Sequence, residues 1–287
     1  LKGLPRSLIY RLIRTGQVRI NGKRSKPSSR LSTGDTVRIP PAPRAAGETA
    51  NVPEAACAAV RAAILYEDDD LLAVDKPSGM AVHAGSGLAW GLIDALRQDR
   101  PGQFVELVHR LDRETSGCLL LARNGAALKR LSASFRAGEV DKFYLCLLDG
   151  RLPQDLLEVD APLARAAAGQ RRLVEVSSEG KPALTRFRRL ETLAGCTYAE
   201  AELLTGRTHQ IRVHAAHLGM PLAGDDKYGE RSAVSEWRRR GLRRIFLHAH
   251  RMVCPRPDGT SLELSAPLPD DLRQVLDDLT QADPQRD

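Results

Sequence analysis

From Pro40 to Ala59 the chain reads PPAPRAAGETANVPEAACAA, rich in Pro and Ala and without any apolar period. Clustered prolines deny the backbone a continuous hydrogen-bond ladder, and a stretch with no apolar face has nothing to pack. The chain must therefore break here, and 287 residues are enough for about two domains. We read residues 1–46 as one small unit, 47–59 as a linker and 60–280 as the main body. The chain starts at Leu1 rather than Met, so the start of the protein is expected to lie upstream.

Charge divides at the same place. Residues 1–46 hold eleven lysines and arginines against one acid, Asp35, while the remainder holds 32 basic against 35 acidic residues. The net charge of +7 is thus a property of the amino-terminal unit. A small basic unit on a near-neutral body fits a polyanion-binding attachment. PRSLIYRLIRTG predicts a short helix, with Pro5 in its first turn and Gly16 just past its end. Leu8, Ile9, Leu12 and Ile13 fall on one arc of it; Arg6, Arg11 and Arg14 fall on the other, facing phosphate. In QVRINGKR the Asn21-Gly22 pair predicts a hairpin, and LSTGDTVRIP a further short strand.

In the body, AAILYEDDDLLAVDKPSG predicts two strands around an acidic turn, followed by a loop that Lys76 and Pro77 shape. GLAWGLIDALRQ and GAALKRLSASFRAG read as helices, the second with Leu128, Leu131 and Phe135 on one side. CLLLAR is a buried strand. DKFYLCLLDG is another, with Phe143, Leu145 and Leu147 on one face and Tyr144, Cys146 and Leu148 on the other. CTYAEAELL alternates so as to put Glu200 and Glu202 outward. RTHQIRVHAAHLG predicts a helix stopped by Gly219, RIFLHAHRMVC and SLELSAP predict strands, and DDLRQVLDDL a closing helix. Strands and helices mix without a βαβ rhythm, so the expected class is α+β with a mixed, mostly antiparallel sheet.

Several functions are excluded by what is missing. There is no phosphate-binding G-x-x-x-x-G-K-[ST], no dinucleotide G-x-G-x-x-G and no G-x-S-x-G nucleophile turn. With 4% aromatics, stacking platforms for single-stranded RNA are not expected to carry binding. The five cysteines form no C-x-x-C pair and are odd in number, which fits a reducing cytoplasm without a disulfide framework. Nothing approaches a membrane span. Asp68–Asp70 and the Asp225-Asp226 pair read as turns. His214 and His217 have helical metal-ligand spacing, but no Cys or acid accompanies them, so packing or hydrogen bonding is the expectation.

One segment raises a question of chemistry. In HRLDRETSG, Asp112 stands between Arg110 and Arg113 with His109 close by, at the edge of the buried CLLLAR strand. Cationic neighbours favour an ionised carboxylate, which can serve as nucleophile or base. A turn with a surface ion pair explains the same residues, and from this segment alone it is the simpler reading.

HRLDRETSG resembles the catalytic motif of the RluA family of pseudouridine synthases. LLAVDKPSGMAVHAGSG, DKFYLCLLDG and LLTGRTHQIRVHAAHLGMPLAGDDKYG, with RIFLHA after it, resemble that family's other motifs, in order, over residues 60–280. Residues 1–46 resemble an S4-type RNA-binding domain lacking its first helix. The resemblance implies a cofactor-free, metal-free isomerisation of uridine in RNA: the N1–C1′ bond breaks, the base turns, and C5 bonds to C1′. By the same resemblance Asp112 is the catalytic aspartate, and Arg110 enters the base stack as the target leaves. Tyr144 packs on the uracil and can take the C5 proton. Arg212 pairs with Asp112, and Ile211 walls the pocket. The amino-terminal segment and VHAGSG are most similar to members acting on large-subunit (23S) ribosomal RNA, through phosphate contacts at Arg6, Arg11 and Arg14. A cytoplasmic monomer with no obligatory protein partner is expected. The rival expectations are the same chemistry on tRNA, and a catalytically silent rRNA-binding or assembly protein. The basic stretch EWRRRGLRR, from Glu236 to Arg244, is either a further RNA contact or a solvated helix.

Overall fold

The computed structural model describes residues 6–14, 16–39, 51–84, 88–166 and 173–282, with the backbone alone at 6–8 and 11. The expectations for residues 47–50 of the linker, and for the side chains of Arg6 and Arg11, lie outside the described residues. The chain forms two compact units, Leu1–Asn51 and Val52–Asp287.

In the first unit, α1 (Arg6–Arg14) is followed by three two-residue strands, β1 (Arg19–Ile20), β2 (Lys23–Arg24) and β3 (Val37–Arg38). They form an antiparallel sheet in the order β2-β1-β3. Leu12 and Val18 are buried, and Gly16 takes φ 72° to turn the chain out of the helix. The hairpin turns on Asn21 and Gly22, both left-handed, at φ 50° and 80°, the twist that matches paired strands. Asp35, the one acid of residues 1–46, works inside the unit. The Asp35 carboxylate accepts from Asn21 Nδ2 at 2.7 Å and from the Ser32 N–H at 2.8 Å. Arg14 is exposed.

The second unit opens with a helix where a linker was expected: α2 runs Glu54–Ala62, behind Pro53. Alanine has the best helix propensity, and three buried residues, Val52, Cys57 and Val60, suffice to anchor so short a helix. An apolar period is invisible when alanine fills the remaining positions. Gln98 holds the entry by bonding both the N–H and the C=O of Val52 at 2.9 Å.

The rest of the unit is β4 (Ile64–Glu67), β5 (Leu71–Lys76), α3 (Leu92–Asp99), β6 (Glu106–Leu107), β7 (Ser116–Ala122), α4 (Gly125–Ala137) and β8 (Asp141–Leu148), then β9 (Leu156–Asp160), β10 (Leu163–Arg165), β11 (Val174–Val176), β12 (Leu184–Leu193) and β13 (Cys196–Leu203). It ends with α5 (Gln210–His217), α6 (Arg231–Arg239), β14 (Leu247–Pro255), β15 (Ser261–Ser265) and α7 (Asp270–Gln281). One large sheet runs β4-β5-β7-β14-β8-β13-β12-β9, with β15 on β14 and β6 on β7. Among the described residues only β7 and β14 pair in parallel, so the fold is α+β with a mixed, mostly antiparallel sheet.

All seven residues of β7 are buried, which is why its sequence is a continuous apolar run rather than an alternating one. Ala127 and Leu131 of α4 pack on its Cys118, Leu120 and Ala122. Asn124 caps α4 by accepting the Ala127 N–H at 2.8 Å, and Gly138 ends it in the left-handed region. On the other side of the sheet, Leu147 and Phe246 meet Trp237 of α6 and Leu272, Val275 and Leu279 of α7. Gly117 fits the parallel crossing: its φ is 111°, and a Cβ there would lie 2.2 Å from the Ala249 carbonyl oxygen. Glu200 is not outward as expected. It is 9% exposed, because Arg188 and His250 each reach it at 2.8 Å and remove its need for water.

Candidate active site

The loop between β6 and β7 carries the HRLDRETSG segment and is fastened at several points. His109 folds back so that its Nε2 accepts the Leu120 N–H at 2.9 Å, and its ring stacks on Phe135 at 4.7 Å. An imidazole nitrogen that accepts a backbone N–H carries no proton. Desolvation, and then the Lys142 charge, push His109 down to about 3. It is therefore a neutral anchor, not one of the cations expected beside Asp112.

Lys76 is fully buried, and its Nζ donates to the carbonyls of Pro77 at 2.8 Å, Met80 at 2.8 Å and Arg113 at 3.0 Å. Burial pulls it down to about 7 against the charge of Glu114, while three carbonyl acceptors take the three N–H bonds of an ammonium. The Arg113 carbonyl also accepts the Gly79 N–H at 2.9 Å. Lys76 thus ties the turn after β5 to the loop that carries Asp112.

At the far end of the loop, Ser116 Oγ lies 2.9 Å from His248 Nδ1 and accepts from Arg244 Nη1 at 2.8 Å. His248 Nε2 faces the Ala266 carbonyl at 3.2 Å, so that nitrogen donates and Nδ1 accepts the serine proton.

Between these fixed points Asp112 faces a cleft of about 670 Å3. The cleft brings together Asp112, Arg110, Tyr144, Ile211 and Arg212 from separated stretches of chain. Tyr144 is 7% exposed, and its phenol is raised above its ordinary 10 by burial and then by the Asp112 charge. Ile211 is buried. Arg110 is exposed at the mouth, as are Arg136 at the end of α4 and Arg207 before α5. Arg136 lies in an ordinary-looking helical stretch, and Arg207, although inside the LLTGRTHQIR motif, is not singled out by the sequence reading. Asp112 is the one acid among the lining residues, against five Arg and Lys.

The far wall is α5, buried from Gln210 to Ala215. Gln210 sets its entry, accepting from Thr205 Oγ1 at 2.7 Å and the Arg207 N–H at 3.0 Å and donating to the Leu184 carbonyl at 2.9 Å. His214 spends both ring nitrogens on Thr185 Oγ1 and the Ala161 carbonyl, each at 2.9 Å, and His217 is exposed. No cluster of metal-ligating residues occurs among the described residues.

The expected Arg212–Asp112 pair is corrected. Arg212 forks onto Asp225, Nε to Oδ2 at 2.8 Å and Nη2 to Oδ1 at 2.5 Å. Both side chains are buried, at 3% and 0% exposure. Burial opposes the Arg212 charge, but the Asp225 hydrogen bonds and the charges of Asp225 and Asp112 raise it. Asp225 is fixed in turn by the N–H groups of Lys227 at 2.9 Å and Tyr228 at 3.1 Å. The fork uses Nε and Nη2 and leaves Nη1 outside it; no Arg212–Asp112 ion pair occurs among the described residues, and Arg212 and Asp112 meet through their fields. The ionisable partner that does approach Asp112 is His209, whose Nε2 lies 3.7 Å from Oδ2. Asp225, read from sequence as part of a turn, is the residue most clearly missed; its signal was its place in GDDKYG beside the cleft motif.

The 236–244 stretch divides. Arg239 and Arg240 pair with Glu236, and Arg240 lies over the Trp237 ring at 5.4 Å. Arg244 turns inward to Asp271 at 2.7 Å and to Ser116. Arg238 and Arg243 are exposed.

Known proteins match this architecture. The RNA pseudouridylate synthase family profile covers residues 70–217, and the S4 domain profile covers residues 1–37. The chain is 46% identical over 282 residues to the ribosomal large subunit pseudouridine synthase C of Yersinia pestis, covering 96% of this chain and 88% of that one. It is 45% identical over 290 residues to the protein of that name from Escherichia coli K12, covering 98% and 91%. Among solved structures, human RNA pseudouridylate synthase domain containing 4 superposes with a TM-score of 0.65 at 26% identity, over 78% of this chain and 95% of that one. Human RNA pseudouridylate synthase domain containing 1 gives 0.62 at 32%, over 77% and 93%. The chain belongs to the RluA-type family of RNA pseudouridine synthases and carries an S4 domain at its amino-terminal end.

Proposed function

We propose that this protein isomerises specific uridines of 23S large-subunit ribosomal RNA to pseudouridine, with Asp112 as the reacting carboxylate. The observation that carries the site assignment is the composition of the cleft: one carboxylate among five cationic side chains and an apolar wall. Cations at the mouth suit a phosphate backbone, which fixes position rather than sequence. Similarity along nearly the whole chain to large-subunit synthases supports the rRNA substrate.

The cleft volume falls within the usual range for a small-molecule site, about 300–1,000 Å3, so it accommodates a single extruded nucleotide. Extrusion costs a few kcal/mol in lost stacking. Arg110, exposed at the mouth, offsets it by occupying the vacated place. Tyr144 then lies against the uracil and Ile211 closes the apolar side. Asp112 acts on the ribose, by attack at C1′ or by removal of the 2′ proton. The N1–C1′ bond breaks, the base turns and C5 bonds to C1′, which releases the Asp112 carboxylate if it had bonded to C1′, or is followed by return of the 2′ proton if it had removed it; the C5 proton leaves and N1 gains one. Reactant and product are isomers, so no electrons are exchanged with another group.

The test is incubation of the full chain with 23S rRNA and, separately, with tRNA, in EDTA, followed by mapping of pseudouridine. Product in rRNA alone, absent with Asp112→Ala, is expected. Product in tRNA and none in rRNA overturns the substrate; an active Asp112→Ala overturns the site; binding without any product in the wild type supports a silent assembly protein.

A further inference from the structure

The proton positions around His209 can be worked out from its partners. His209 precedes α5 at φ 57°. Its Nδ1 lies 2.8 Å from the Tyr228 hydroxyl, whose oxygen already accepts the Val174 N–H at 3.1 Å. A phenol has one proton to give. Given to His209 Nδ1, it leaves the imidazole proton on Nε2, the atom 3.7 Å from Asp112 Oδ2. The other tautomer would aim a nitrogen lone pair at a carboxylate oxygen, which is electrostatically unfavourable. Desolvation also disfavours the doubly protonated ring, with Arg212 and Lys227 acting the same way against Asp112 and Asp225.

Arg212 does not fill the place of a donor to Asp112 here: its Nε and Nη2 are turned onto Asp225, and no Arg212–Asp112 ion pair occurs among the described residues, so His209 is the side-chain donor that approaches Asp112. The same Asp225 accepts the Tyr228 N–H at 3.1 Å, and the Tyr228 ring meets the His209 ring edge-on at 5.6 Å. Asp225, Tyr228, His209 and Asp112 thus form a sequence of contacts, each ordering the next. We propose that His209, set in its Nε2–H tautomer by Tyr228, is a positioning residue for Asp112. Its N–H closes onto Oδ2 when the nucleotide enters and leaves Oδ1 for the sugar. A separation of 3.7 Å in the free protein fits this role, since catalytic hydrogen bonds often tighten only in the complex. The inference rests on the reading of Asp112 as the reacting carboxylate.

The experiment uses the full chain and saturating 23S rRNA in single turnover, with RNA affinity measured separately. His209→Leu and His209→Gln bear the same backbone cost at a left-handed position, but only glutamine keeps an N–H near Nε2. His209→Leu is expected to slow turnover about 10- to 100-fold with affinity within about twofold, a loss of the size that misplaced reacting groups produce. His209→Gln should recover most of it. Tyr228→Phe should slow turnover less, and add nothing to His209→Leu, because the two act in series. Turnover of His209→Leu within about twofold of wild type, or His209→Gln as slow as His209→Leu, overturns the proposal. Asp112→Asn separates the two levels: activity in that variant overturns the Asp112 reading itself, while its inactivity beside an unaffected His209→Leu overturns only the role of His209.

Discussion

Replacing Asp225 by asparagine should unfold the catalytic unit far more readily than any exposed charge change. The Arg212–Asp225 pair is buried at 3% and 0% exposure, and the carboxylate also holds the N–H groups of Lys227 and Tyr228. Breaking a buried pair leaves the remaining charge uncompensated at a cost of about 3–5 kcal/mol. That is a large part of the roughly 5–15 kcal/mol that keeps a domain folded. Asp226 is a poor substitute, since its Oδ1 is 3.7 Å away on a side chain 63% exposed. With a urea slope of about 3 kcal/mol per M, the midpoint should fall by roughly 1–1.7 M. Trp237, 4% exposed with its Nε1 on Asp149 Oδ2 at 3.0 Å, reports the transition by fluorescence. The control is Glu114→Gln, because the Arg113–Glu114 contact is 3.5 Å between half-exposed side chains. Such pairs contribute about 0–1 kcal/mol, so its midpoint should move by less than about 0.3 M. If Asp225→Asn moves no further than this control, the buried pair is not what anchors Arg212. The guanidinium would then lean on Asp112, as the sequence resemblance implies.

Three further outcomes are expected. The His248 ring is pushed down to about 4 by burial, against its hydrogen bond to the Ala266 carbonyl. An unfolded histidine titrates near 6.5, so the unfolded chain binds the extra proton first; this contribution to stability, on the order of 3 kcal/mol, is complete above pH 6.5 and lost by about pH 4. His248→Gln should flatten the fall of the urea midpoint across that window, and an unchanged slope refutes the neutral assignment. The Tyr144 phenol is raised above its ordinary 10, so turnover should show no tyrosine ionisation between pH 7 and 10; a limb there that vanishes in Tyr144→Phe would contradict it. Neutralising Arg6, Arg11 and Arg14 should weaken rRNA binding and lower its logarithmic salt slope by about two to three, leaving turnover on a short saturating substrate unchanged. Lost turnover with intact binding would refute that division of labour.

Elements whose burial follows a simple period were legible in the sequence. The continuous run of β7 and the Asn21-Gly22 turn are in the structure, and β8 and β13 are strands as expected, although both of their faces are largely covered and Glu200 is buried. Three things were not. The helix α2 hides its anchors among alanines. The short strands β9, β10 and β11 are partly exposed and depend on partners far along the chain. Charge neighbourhoods were hardest, because adjacency in sequence is a poor guide to what a side chain meets. His109 stands three residues from Asp112 yet spends its acceptor nitrogen on Leu120. The cleft residues themselves were legible through motif resemblance, but the partners that orient them were not. Ser116 and His248 are separated by 132 residues, and Arg212 and Asp225 by 13.

The clamped loop and the exposed arginines have opposite requirements. A carboxylate that must meet one carbon or one proton gains from being held still before substrate arrives, since ordering it later would cost part of the rate. The loop around Asp112 has that character. His109 is bound to β7, Lys76 holds the Arg113 carbonyl, the Thr115 N–H reaches the Asp112 carbonyl at 3.2 Å, and Ser116 is gripped from β14 and by Arg244. Arg110 sits two residues before Asp112 in the same loop, yet its side chain is exposed. On the proposed reading Arg110 follows a base out of a helix, and an exposed side chain leaves it free to do so. One nine-residue segment thus carries both the acid and an exposed cation on a backbone that its neighbours anchor. Substitutions at the anchors should therefore lower turnover with little change in RNA affinity, whereas Arg110→Ala should weaken the flipped complex itself.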